Sequence, residues 1–207
     1  MANGIDREIR ALSLARSCAA LGARVRTISH ISGLLPRTVL RLLFPDHRAI
    51  PRGRCPDSRE WYHGANLLHR AEASIVMALY RRLRVGGFGG GDALLGAYRQ
   101  YRALCHPPPR ISFDRAFDLA AHTDGLWLTR DASFSVLVCD QCHCEFLVPV
   151  GAVASCNERC PFCGLLRRYR TDPRIQASFP TAPMNLPSLG DTGMLTLLAQ
   201  RNDSETG

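Results

Sequence analysis

The chain has 207 residues, 46% of them hydrophobic, with a formal charge of +8 and a pI near 9.3. That is enough apolar material for one large domain or a main domain with a small satellite. All 26 cationic residues are arginine, which excludes Schiff-base and phosphate-loop chemistry built on lysine, and the basic balance points to nucleic acid or an acidic surface as partner. The charge is uneven: Met1 to Trp61 holds 11 Arg against 5 acidic residues, whereas Ala116 to Cys163 holds 2 Arg against 6. The start, MANGIDREIR, mixes charges of both signs, so no secretory signal is read there. The longest unbroken apolar run, Ile75 to Tyr80, falls far short of the ~18 residues of a membrane span. A cytoplasmic protein without membrane association is expected. In that reducing compartment paired cysteines point to metal ligands rather than disulfides.

In chain order, Ile5, Ile9, Leu12, Ala15 and Ala19 recur three and four residues apart, the pattern of an amphipathic helix with arginines on its other face. A helical pair is expected between Gly22 and Phe44. Within it, VRTISHISGLLPRTVLRLL, Val25 to Leu43, fits a helix-turn-helix. Ile28, Ser29, Leu34, Val39 and Leu42 fall in the register that packs the two helices. Gly33 takes the turn, where φ can be positive, and Pro36 starts the second helix, where its missing N–H costs nothing. The second helix would offer Arg37, Thr38 and Arg41 to base edges and phosphates. The plainer alternative is an ordinary helical hairpin with a solvated arginine face. Residues 45 to 60, PDHRAIPRGRCPDSRE, are too proline-rich for a regular element. They read as a basic arm whose Arg48, Arg52 and Arg54 suit phosphate tracking or a minor groove.

Trp61 to Arg84 reads as one long helix that stops at VGGFGGG, a flexible interhelix turn. Asp92 is the expected N-cap of DALLGAYRQYRALC, and Ser112 that of FDRAFDLAAHTDGLWL. FSVLVC and CEFLVPV then bring the first strand-like patterning. From Asp172 onward Pro, Ser, Thr and Gly recur, and a disordered tail is expected apart from a short turn at MLTLLAQ. The expected fold class is mainly α: a helical domain over 1–130 containing the helix-turn-helix-like pair, a small zinc-ribbon-like unit over 131–171, and a tail over 172–207.

VCDQCHCEFLVPVGAVASCNERCPFCG, Val138 to Gly164, holds six of the nine cysteines. Zinc prefers four soft ligands in a tetrahedron, and a C-x-x-C turn brings two sulfurs to one side while its backbone N–H groups bond the thiolates. Cys139-x-x-Cys142 and Cys160-x-x-Cys163 are two such turns, 17 residues apart, enough for a hairpin to return. One Zn2+ per chain is expected on these four. Cys144 and Cys156 are read as spectators, with Cys156 or His143 the substitutes if the set differs. A redox pair or small buried thiols is the plainer alternative for the cluster. A closed four-thiolate site has no open position to activate water, so it serves folding and presentation, and its net charge of about −2 is offset by Arg159, Arg167, Arg168 and Arg170.

Together, LGARVRTISHISGLLPRTVLRLL, the proline-rich arm ending at Trp61, the glycine interruption before DALLGAYRQY, the ISFDRAFDLAAHTDGLWL segment and the two cysteine knuckles resemble the FlhC family. FlhC is the C subunit of the bacterial flagellar master transcriptional activator. The resemblance runs from about residue 8 to about residue 171. It implies a DNA-binding subunit that assembles with an FlhD-type partner into a hetero-oligomer on promoter DNA and recruits RNA polymerase to flagellar operons. It also implies that the family's zinc cysteines fall on Cys139, Cys142, Cys160 and Cys163. The competing reading is a zinc-stapled structural or protein-interaction module without direct DNA binding. An enzyme is not expected: Cys105-His106 is the one adjacent Cys and His pair outside the cluster, and sequence neighbours at a helix end point apart.

Overall fold

A computed structural model describes residues 4–46, 48, 50–51, 60–105, 107–150 and 160–179, apart from the side chains of Glu60 and His63. Arg52, Arg54, His106, Cys156, Arg159 and the MLTLLAQ segment lie outside the described residues. The described fold is mainly helical with one two-stranded antiparallel ribbon. The helices are α1 (Gly4–Ala20), α2 (Val25–Ser32), α3 (Pro36–Leu43), α4 (Glu60–His63), α5 (Leu67–Val85), α6 (Gly90–Leu104), α7 (Phe113–Asp124), α8 (Pro161–Arg168) and α9 (Pro173–Ser178). The strands β1 (Phe134–Val138) and β2 (Glu145–Pro149) pair with Val136 opposite Leu147. No described helix is long and apolar enough to cross a membrane.

The centre of the fold is α5, which packs against α6, α7, β2 and α8. Its inner face carries Ala73, Val76, Met77 and Tyr80, which join Leu94 and Tyr101 of α6, and Phe113 and Leu119 of α7, in one core. At the polar heart of that core the Glu72 carboxylate, 1% exposed, accepts from the Tyr101 hydroxyl, from Arg110 N (3.0 Å) and from the Arg110 guanidinium (2.5 Å). The same guanidinium donates to Ser178 Oγ at 2.7 Å. A buried charge is tolerable only when paired and fully hydrogen-bonded, and here the pairing ties α5, α6, the segment before α7 and α9 together.

Several boundaries depart from the sequence reading. The long helix expected over Trp61 to Arg84 is split, because Asn66 caps α5: its side chain accepts from His69 N at 3.0 Å, ending α4 after one turn. Asp92 is not the cap of α6. That helix begins at Gly90 with Gly89 as N-cap, and Asp92 sits in its first turn, paired with Arg10 at 2.5 Å. Nor is the glycine run simply a loose turn. A Cβ on Gly90 would stand 3.1 Å from Leu126 and one on Gly91 3.0 Å from Ile31, so these residues let the start of α6 press against its neighbours. Ser112 caps α7 as expected, accepting from Arg115 N, but the helix ends at Asp124 rather than continuing through Leu128. The tail reading fails for its first residues: Asp172 accepts from Arg174 N at 2.9 Å, Pro173 takes the first helical position, and Ile175 is 2% exposed.

The helical pair packs into this core through Ile28, Ile31 and Val39 and is pinned to it by one buried carboxylate. Asp114 of α7, 4% exposed, accepts from Arg24 N (3.1 Å), the Arg24 guanidinium (3.1 Å) and Thr27 Oγ1 (2.6 Å). Arg24 is the N-cap of α2 and supplies no cap of its own, so an acid from another helix takes that role. Asp114→Ala is expected to lower stability by about 2–3 kcal/mol, the range for losing hydrogen bonds to a charged group. Asp114→Asn, which keeps the acceptor facing Thr27, should cost roughly half as much. Urea unfolding of both variants measures the difference.

Candidate metal centre and helix-pair interface

The metal candidate starts from two short turns that fold locally. Cys139 follows β1 directly, and the chain reverses at His143, whose φ of 56° places it in the left-handed region. Cys139 N donates to Cys144 O at 3.0 Å, closing the turn before β2. The second turn is capped by Cys160, with Pro161 in the first position of α8. Within this pair of turns the Cys139, Cys142, Cys160 and Cys163 sulfurs all lie within 4.8 Å of one another. Cys139 Sγ is 3.7 Å from Cys163 Sγ, and Cys142 Sγ is 3.6 Å from Cys160 Sγ. Four thiolates on a tetrahedral ion at ~2.3 Å are ~3.8 Å apart, whereas a disulfide needs ~2.05 Å. The cluster therefore fits a metal ion and not a cystine pair, and suits a zinc-binding unit.

The local electrostatics favour thiolate at one knuckle. Backbone N–H groups of Cys142 and then Gln141 point at the Cys139 sulfur and bring its thiol down to about 7. The N–H groups of Cys163 and Phe162 act on Cys160 in the same sense, but burial comes first there and the net shift is upward. Burial likewise pushes Cys163 up to about 12. Cys144 is exposed, as is His143. Arg167, Arg168 and Arg170 lie exposed at and just beyond the end of α8.

Both knuckles are fixed to α5, the first with help from α4. On the ribbon side, the Tyr62 hydroxyl donates to Leu147 O at 2.6 Å and Leu147 N donates to Ser74 Oγ at 3.1 Å. On the other side, Gly164 of α8 packs against Leu67. Cys139, Cys160 and Cys163 share a small buried cluster with Phe146 and Val148. None of these anchors was singled out by sequence reasoning.

In the helix pair, Gly33 closes α2 with φ 75°, and Ser29 Oγ donates to Leu34 O at 2.5 Å. Ile28 and Val39 are fully buried. Leu42 corrects the expected register: it is 48% exposed, and Leu43 and Phe44 turn inward instead. Arg37, Arg41 and Arg48 are exposed, and Thr38 is half-buried. Arg37 and Arg41 stand one turn apart on α3. The apolar stripe of α1 is uncovered at its start, where Ile5 and Ile9 are 66% and 61% exposed. Ile9 and Leu12 line a cleft of about 400 Å³ with Arg16, Leu42 and Leu43.

Two arrangements invite a catalytic reading. Cys105 is buried, and its thiol is pushed up to about 11 by burial and then by Glu72, which makes it a poor nucleophile. Ser133 Oγ lies 2.9 Å from His122 Nδ1, and His122 Nε2 lies 3.7 Å from the buried Asp118. Neither the α1–α3 cleft nor the one beside α8 and α9 is lined by any of these three. Ser133 N also donates to His122 O at 2.7 Å, so the contact joins α7 to the start of β1.

Cys139→Ser or Cys163→Ser is expected to abolish stoichiometric metal binding and melt the ribbon, while Cys144→Ser retains both. Metal analysis and cobalt absorption of the purified variants check this, and metal loss from the Cys144 variant would refute the ligand set. No family model matches the chain. It is similar to the flagellar transcriptional regulator FlhC of Proteus mirabilis, with 27% identity over 166 residues that cover 77% of this chain and 81% of that protein.

Proposed function

We propose that the protein is a DNA-binding transcriptional activator subunit for flagellar operon promoters, assembled with an FlhD-type partner and held in shape by one Zn2+ on Cys139, Cys142, Cys160 and Cys163. The observation that carries this reading is the exposed Arg37 and Arg41 pair on α3, a two-turn helix seated on α2 and anchored through Asp114. The similarity to the Proteus mirabilis flagellar regulator supports the same class and favours a regulator over an enzyme.

In this reading Arg37, Thr38 and Arg41 face the major groove, and Arg48, Arg52 and Arg54 follow the phosphates of the flanking DNA. Arginine serves both tasks, since its planar fork pairs with guanine and with phosphate. The uncovered stripe of Ile5, Ile9, Leu12 and Leu42 supports a protein partner on α1 and α3, because contiguous exposed apolar residues mark interaction surfaces. Bound zinc supplies no reactive position at a closed four-thiolate site; it contributes folding energy. The cysteines orient β1, β2 and α8 around it, and α5 holds that unit beside the helical core. RNA polymerase is recruited by the assembled complex.

Arg37→Ala and Arg41→Ala should each weaken promoter binding about 5- to 160-fold, the ~1–3 kcal/mol of a good base contact, without dissociating the partner. Ile9→Asp should do the reverse, losing the co-purifying partner first. Affinity should fall with salt at a slope of roughly −0.9 per phosphate neutralised. Gel shifts on flagellar promoter DNA at several salt concentrations, with and without co-expressed partner, measure all three. Zinc-loaded, folded protein that binds no DNA in either condition would leave the structural-module reading standing.

A further inference from the structure

Beside the metal unit lies a second apolar cleft that the proposed function leaves unused. It has a volume of about 530 Å³ and is walled by Ile75 of α5, Phe162, Leu165 and Leu166 of α8, and Ile175 and Phe179 at α9. Leu166 is 71% exposed on its lip. The walls are firm. Ile175 is packed with Leu165 and Ala71, and Ser178 is latched by Arg110, which is itself held by the buried Glu72. An apolar cleft of this size with rigid sides is a site for something.

We propose that the occupant is the chain's own segment Met194–Gln200, MLTLLAQ, which docks in this cleft as a short apolar plug. Three observations favour it over a separate partner. First, Phe179 lines the cleft and is the last described residue, so the chain leaves for residue 180 from the cleft's own edge. Fourteen residues, 180 to 193, separate that edge from Met194, and such a length spans at most ~50 Å, ample to turn back on itself. Tethering at this distance gives an effective concentration on the order of millimolar, which a free partner does not match.

Second, the segment has the right pattern. Met194, Leu197 and Leu198 are spaced three and four apart and would form one apolar face on a helical turn, with Leu195 beside it. Third, the charges match. Residues 162 to 179, which supply all the cleft's lining but Ile75, carry Arg167, Arg168, Arg170 and Arg174 against Asp172 alone, whereas residues 180 to 207 carry Asp191, Asp203 and Glu205 against Arg201 alone. A basic stretch meeting an acidic one orients the docked piece and disfavours wrong registers.

The test is hydrogen exchange by mass spectrometry on the full, metal-loaded chain, comparing it with the double variant Leu197→Asp/Leu198→Asp. These substitutions lie outside the described residues, and unchanged exchange in α6 confirms that the core is intact. Docking predicts slow exchange over 194–200 in the unmodified chain. In the variant that protection is lost, and exchange over 162–179 rises roughly tenfold or more. A second variant, Leu166→Glu on the cleft side, should reproduce the loss over 194–200. Free-peptide exchange over 194–200 in the unmodified chain overturns the proposal, as does unaltered exchange over 162–179 in the variant. Protection that rises with protein concentration overturns it as well, assigning the cleft to a second copy.

Discussion

A two-stranded ribbon with five residues a side is marginal in water, and the peptide group of Leu147 is where this one is fastened down. Its carbonyl takes the Tyr62 hydroxyl and its N–H gives to Ser74 Oγ, so the outer edge of β2 is satisfied by side chains instead of a third strand. An unpaired strand edge would otherwise be an open template for another chain. The same bonds position Phe146 and Val148 beneath the four sulfurs. Because Tyr62 and Ser74 belong to the helical core, the metal-binding unit inherits the core's rigidity.

The helix pair depends on the core by a parallel device. Asp114 reaches from α7 to the start of α2, where it accepts from the backbone N–H of the N-cap residue Arg24 and from the Thr27 hydroxyl. Each appendage is thus oriented by two or three hydrogen bonds to side chains of α4, α5 or α7, beside its share of the apolar core. The orientation of α3 is coupled to the packing of α7, and the orientation of the ribbon to that of α5. Since α5 and α7 pack on each other, the two candidate surfaces share one rigid support.

What the sequence revealed and what it hid divide along separation in the chain. The cysteine knuckles, the Ser112 cap, the Gly33 turn and the two strands are each written in a few adjacent residues whose local chemistry admits one geometry. The anchors are not. Asp114 meets residues 87 and 90 positions away, Ser74 meets one 73 away and Tyr62 one 85 away, and nothing in the local pattern of any partner announces the other. The same limit explains Ile5, Ile9 and Leu42: three- and four-residue spacing marks an apolar stripe but does not say what covers it. The split between α4 and α5 was written locally, in Gly64 and Asn66, and was outweighed by the strong apolar periodicity that follows. The DNA-facing assignments of Arg52 and Arg54 lie outside the described residues.

The six-residue α9 would have little helical content as an isolated peptide, since nucleation is not repaid over so few hydrogen bonds. Arg110 changes its standing. Its guanidinium serves Glu72 and Ser178 at once, so lifting α9 away disturbs the donor set of a carboxylate that has no water to turn to. Opening at the periphery is thereby charged to the interior, and α9 belongs to the same cooperative unit as the centre of α5. A protease acting on α9 would meet a resistance set by an arginine 68 residues back in the chain.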